Sequence, residues 1–281
     1  MKSWAVTTAL LATALAAAAG CAAQARPDAA KPISRWALPG GLTEISGLAL
    51  STDGRLFAHN DESARIFEVD YRRGAIVKEF KLGSPTLRGD FEGLTVANGR
   101  FILLASDGTL YEFAEAADGA RVSYQSYDTG LGTQCEFEGI AFEAASNSLL
   151  LACKIVLKKK LEDQLVIYRW KRGGGGGGGG DSTARTSLLS IPLARVIGTN
   201  GWKTLHPSDL TIDPASGNYV LVAAREQALI VLTPAGQLVS ARPLPGSHPQ
   251  AEGVAVTRDH LLLVSDEGGK LPGTLTSYRW P

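Results

Sequence analysis

Three cysteines in 281 residues leave little room for thiol chemistry or a cysteine-built metal site. None is spaced as CxxC, and the four histidines are scattered, so no zinc motif can be read. Net charge is absent too. The 28 basic and 28 acidic residues balance, which removes the field that would draw the chain to nucleic acid. No stretch of the mature chain sustains helical periodicity, which argues against alternating α and β units. Catalytic signatures are missing as well. There is no GxSxG and no Ser-His-Asp order that stands out. The glycine block Gly173 to Gly180 lacks the Lys-Ser/Thr of a phosphate loop.

What is present begins with an address. Lys2 precedes the apolar run "WAVTTALLATALAAAAG", which ends at Cys21. A basic residue, a hydrophobic stretch and small residues before a break make a secretory signal over residues 1–20. The run is short for a membrane span. "AAGC" fits a lipobox, with Ala18 where Leu is usual, and Cys21 is then the lipidated mature N-terminus. An ordinary signal cut near Ala23 to Ala25 is the alternative. Either way the protein is exported, and the expected place is the periplasm or the outer membrane. Membrane contact is then through a lipid anchor alone. Residues 21–32 read as a flexible tether and 33–281 as the folded domain. A disordered poly-Gly insertion falls near 172–184. "LKKKLED", Leu157 to Asp163, reads as an exposed charged loop.

Five segments of the domain repeat one another. They begin at "EISGLAL", "DFEGLTV", "EFEGIAF", "HPSDLTI" and "QAEGVAV". Each continues as strand, turn, strand, polar loop, strand, with turn chemistry such as "STDGR", "ANGR", "PASGN" and "PAGQ". A period of roughly 40 to 60 residues fits four strands per propeller blade. The fifth segment stops at "SYRWP" after three strands, and "PISRWALPG" near the start can supply the fourth. The expectation is therefore all-β: a five-bladed β-propeller, its ring closed by an N-terminal strand. A sixth blade inside the long third repeat is the alternative.

The repeat places acids at one end of the channel. The innermost strand starts, and the second strand ends, on the same face of the disc. Glu92, Glu138 and Glu252 occupy one register at the strand starts, and Asp61, Asp107 and Asp266 lie at the matching strand ends. Converging carboxylates must take protons, pair with bases or bind a cation. These six are the candidate metal ligands, and the oxygen donors suit Ca²⁺ before Mg²⁺. Asn60, Lys154, Asp209 and Arg225 are candidate ligand-binding residues on the same rim. The structural alternative is that each Glu accepts backbone N–H groups from the next blade and stitches the ring. Cys135 and Cys153 flank the third blade's first hairpin. In an oxidising compartment they are candidates for a disulfide, and two separate thiols are the alternative.

"CEFEGIAF", "GDFEGLTV", "PQAEGVAV" with "LLLVSDEGG", and "HPSDLTIDPASGNYVLVAAREQALIVL" resemble the bacterial SdiA-regulated family of envelope propellers. The likeness runs from about Glu44 to Ser265, and the poly-Gly insertion departs from it. It implies a propeller with a cation at the channel mouth. More distantly the chain is similar to the phytase-like and gluconolactonase-like metal-dependent propellers, without their full ligand sets. Three functions follow as expectations. The first is a monomeric envelope propeller that binds a divalent cation and a small molecule or envelope protein. The second is a metal-dependent hydrolase of a phosphoester or lactone. The third is a structural interaction module.

Overall fold

The computed structural model describes Met1 and residues 31–171, 185–198 and 200–281. The signal, Cys21, most of the tether and the poly-Gly insertion lie outside the described residues. Twenty-one strands run through the described residues, and nearly all of them form five antiparallel sheets arranged as blades. The N-terminal strand β1 (Ser34–Ala37) belongs to the last blade. The first blade holds β2 (Ile45–Leu50), β3 (Leu56–Asn60), β4 (Arg65–Asp70) and β5 (Ala75–Leu82). The second holds β6 (Phe91–Ala97), β7 (Arg100–Ala105) and β8 (Thr109–Phe113). Before that blade is completed, β9 (Arg121–Val122) adds to the outer edge of β5, in parallel. The outer strand β10 (Tyr124–Asp128) then follows.

The third blade is β11 (Cys135–Glu143), β12 (Ser148–Val156), β13 (Gln164–Lys171) and β14 (Arg185–Pro192). A short helix α1 (Leu193–Ile197) leads to the fourth: β15 (Asp209–Ile212), β16 (Tyr219–Ala223), β17 (Ala228–Leu232) and β18 (Leu238–Pro243). The fifth has β19 (Ala251–Val256), β20 (Leu261–Asp266) and β21 (Thr274–Arg279). β1 pairs antiparallel with β21, from Ser34 opposite Ser277 to Ala37 opposite Thr274. The ring is thus closed by the N-terminal strand, and five blades account for the described strands. In the third repeat β11 and β12 each run nine residues, and its described strands form one four-stranded blade.

Local chemistry explains the hairpins. Asn98 and Gly99 both have positive φ, 50° and 76°, and join β6 to β7 in the turn that a twisted two-residue hairpin demands. Apolar residues fill the spaces between blades. Phe57, Phe80, Phe101 and Phe113 interlock between the first two, with ring centroids 4.7 Å apart for Phe57–Phe101. "LKKKLED" lies in the β12–β13 connection, where Leu161 is buried and the lysines at 158–160 are not. Among the described residues no helix is long and apolar enough to cross a membrane.

The five innermost strands, β2, β6, β11, β15 and β19, converge on the axis. A Cβ on Gly139 would stand 2.8 Å from the Leu210 nitrogen, and one on Gly93 3.2 Å from that of Ile140. Glycine is required here because backbones of successive blades nearly touch. Gly47 and Gly253 hold the same register in the other blades, and Asp209 holds it in the fourth. This ring constricts the channel and divides it into two ends.

Candidate functional site

In four of the five blades the head of the innermost strand is bulged. The pairing ladder steps from Ile45 to Gly47, from Phe91 to Gly93, from Phe137 to Gly139 and from Ala251 to Gly253. The residues left over are Ser46, Glu92, Glu138 and Glu252. A bulge frees a residue from the ladder and re-aims its side chain. That is why a carboxylate can head an otherwise apolar strand: it is turned into the channel mouth rather than into the blade. On β12 the register also skips Lys154, between Cys153 and Ile155. The two skipped residues meet, and the Lys154 ammonium lies against Glu138 Oε1.

The mouth is a cavity of about 160 Å³. Glu92, Glu138, Glu252 and Asp61 line it with Glu44, Asp90 and Glu267. Seven carboxyl groups therefore face one ammonium, that of Lys154. Arg88 is spent on Glu62 outside, 3.1 Å away. Glu138 is only 5% exposed, and its Oε2 is buried with no hydrogen-bond partner. Burial pushes the Glu92 carboxyl up to about 8, helped by nearby Asp90. Burial likewise lifts Glu252 to about 7, against the pull of Lys154. Asp61 and Glu267 are raised from the ordinary carboxylate range, again mainly by burial.

The stitching of the ring is done by other groups. The Phe91 N–H donates to the Asp61 carbonyl at 2.8 Å, and the Phe137 N–H to the Ser106 carbonyl at 2.9 Å. In the fourth blade Ser208 Oγ donates to the Ala251 carbonyl at 2.6 Å. Asp209, in the glycine register, is fully buried. Its carboxylate accepts the N–H of Leu210 and that of Val254, each at 2.7 Å, and the Leu48 amide also donates to it. Burial still holds its carboxyl well above the usual range. Asp209 is a buried linchpin below the mouth and does not line it.

Other expected residues separate in the same way. Asp107 is exposed in the adjoining depression, which it shares with Asp90, Glu92 and Glu138, and it accepts the Thr109 N–H at 2.8 Å. Asp266 is only 3% exposed and turns inward. It accepts from His248 Nδ1 at 2.7 Å and from the Thr274 hydroxyl at 3.1 Å. His248 Nε2 meets the Tyr278 hydroxyl at 2.8 Å, and this buried triad occupies Asp266. Asn60 is buried and donates to the carbonyls of Gly41 and Glu44. Arg225 is exposed and does not line the mouth; the fourth blade contributes nothing to it. Cys135 and Cys153 are bonded, Cα to Cα 5.5 Å, and strap the head of β11 to β12 beside Glu138 and Lys154. Cys21 lies outside the described residues. Glu44, Asp90 and Glu267 complete the lining, rim positions that the repeat also brings here but that lie outside the six candidate metal ligands. Their signal was position: each flanks a strand start or end already implicated.

The oxygen donors of the mouth have the chemistry of a hard-cation site. Their side chains do not stand assembled around a point: among the described residues no three His, Cys, Asp or Glu groups are placed to hold a metal ion.

No protein-family model and no curated protein sequence matches this chain. Its fold is shared with solved enzymes. The PQQ-bound aldose sugar dehydrogenase of Streptomyces coelicolor superposes with a TM-score of 0.58 at 14% identity, over 89% of this chain and 97% of that one. Myxococcus xanthus glutaminyl cyclase gives 0.57 at 12% identity, over 88% and 95%. A luciferin-regenerating enzyme gives 0.52 at 9% identity, over 84% and 91%. At such identities the likeness is one of fold. The chain is a five-bladed β-propeller.

Proposed function

We propose that this protein is an exported, lipid-anchored β-propeller whose acidic channel mouth binds a divalent cation, calcium in the first place. The observation that carries the reading is Glu138 Oε2, buried and without a hydrogen-bond partner in a mouth where seven carboxyl groups face one lysine. A buried acceptor with nothing to accept costs about 1–3 kcal/mol, and a cation removes that cost. Glu92, Glu252 and Glu138 would hold the ion together with Asp61, which requires their side chains to turn toward the centre and Lys154 to yield its place on Glu138. A bound calcium would supply a fixed positive charge able to receive an anionic or carbonyl group of a ligand.

The resemblance of the repeat motifs to the SdiA-regulated envelope propellers agrees with this reading, as does the signal that ends at Cys21. Radiolabelled palmitate should enter the wild type and not Cys21→Ala. A second reading has one observation in its favour. Glu92 and Glu252, near 8 and 7, titrate where a general acid or base of a metal-dependent hydrolase must. Binding is preferred because the described lining offers no histidine or free cysteine to share proton transfer or attack.

The experiment is a calcium titration by calorimetry at neutral pH in buffers of different ionisation enthalpy. The reading expects saturable binding with release of protons from Glu92 and Glu252. Binding without proton release, or none, contradicts it. Turnover of generic phosphoesters or lactones that stops on chelation would move the conclusion to the hydrolase.

A further inference from the structure

The far end of the channel is a different kind of space. Beyond the glycine ring the innermost strands splay into a funnel of about 560 Å³, within the range of small-molecule sites. Its wall comes from one register in every blade: Leu50, Val96, Phe142, Ile212 and Val256. The first four of these are only partly buried, so apolar surface is left facing the opening. Such surface in a concave site gains by being covered. One register nearer the axis, Thr95 and Thr211 add polar points to the wall.

The rim decides what kind of molecule fits. Asp53 is tied to Arg55, Oδ2 to Nε at 2.8 Å, and hydrogen bonds from Ser51 and Arg55 hold its carboxyl down at about 2. Asp259 pairs with Arg72 at 2.6 Å. Both rim carboxylates are thus paired, Asp53 with an Arg55 that Glu68 and Glu115 share. Arg258, exposed beside them on the lining, has neither an ion pair nor a hydrogen bond among the described residues. Among the described charged residues of the lining, Arg258 alone lacks a partner, and the fork of its guanidinium matches a carboxylate.

We propose that the funnel binds an apolar monocarboxylate, of the kind a medium-chain fatty acid represents. Its carboxylate pairs with Arg258, and its hydrocarbon lies against Leu50, Val96, Phe142 and Ile212. The site is independent of the acidic mouth. The ring at Gly47, Gly93, Gly139 and Gly253, with fully buried Asp209 among them, stands between the two ends.

The test uses decanoate, titrated into the whole protein by calorimetry, with decanol and decylamine beside it. The expected result is saturable binding of one decanoate per chain, and weaker binding of decylamine. Arg258→Gln, an exposed residue with no contact to lose, should weaken decanoate about tenfold and leave decanol unchanged. Thr211→Phe, which fills the funnel, should abolish binding of both. The double substitution Glu92→Gln and Glu138→Gln at the other end should leave decanoate affinity as it was, whatever it does to calcium. The inference is overturned if decanoate shows no saturable binding, if Arg258→Gln binds it as tightly as the wild type, or if decylamine binds better.

Discussion

The two ends of this channel are built from the same innermost strands, four of them at the mouth and all five at the far end, and differ in chemistry. At the head of the strands, bulges turn Glu92, Glu138 and Glu252 into a narrow mouth with Lys154. At the tail, regular pairing leaves Leu50, Val96, Phe142 and Ile212, with Thr95 and Thr211 among them, around a wider funnel of mixed lining. Between them, Asp209 and the glycines seal the axis. In four of the strands, one residue of irregularity separates the acidic mouth from the funnel. A strand that alternates cleanly can line a cavity, but a bulge is needed to present a carboxylate at its head without breaking the packing behind it.

The sharpest way to break that contrast is to compare carboxylates on either side of the seal. Asp209→Ala leaves the amides of Leu210, Val254 and Leu48 without an acceptor in the interior and should cost about 4 kcal/mol. Glu252→Gln at the mouth should cost nothing, and above pH 7 it should stabilise, because the ionised form is held there against its preference. Urea unfolding of both variants checks the pair. A mild Asp209→Ala would mean that the seal does not bear on the fold.

The strap comes next in size. Cys135 and Cys153 are 18 residues apart, and replacing both by Ser should cost about 3 kcal/mol by denaturant unfolding. If the strap also orders the mouth, calcium affinity falls in that variant while decanoate affinity does not. A fall in both would mean that the two ends are coupled.

The pH dependence is smaller and has a definite sign. Glu92 and Glu252 sit near 8 and 7 in the folded protein, against 4.5 in the reference state. The folded state therefore holds more protons between those limits, and stability falls as pH rises from about 4.5 to about 8. Unfolding measured across that window should show the decline in the wild type. The Glu92→Gln and Glu252→Gln double variant should flatten it. An unchanged slope would remove these carboxyls from the account.

Much of this was legible in the sequence because a repeat copies its registers. The five blades, the closing strand at Ser34 to Ala37 and the gathering of Glu92, Glu138 and Glu252 all follow from aligned motifs. The roles of single residues did not. Asp209 aligns with glycines, and no pattern says that a carboxylate there would be enclosed by three amides. Asp266 shares a strand-end register with Asp107, yet a histidine 18 residues away draws it inward. Asn60 and Arg225 occupy rim positions in the alignment, but side-chain direction depends on the bulges, which a periodic reading averages away. The funnel was invisible for the opposite reason: its walls read as ordinary core.

The most direct measurement is the shift in melting temperature that calcium causes, taken for the wild type and for the Glu92→Gln and Glu138→Gln double variant. The account predicts a clear rise in the wild type and none in the variant. An equal rise in both, or none in the wild type, would show that the acidic mouth is not a cation site.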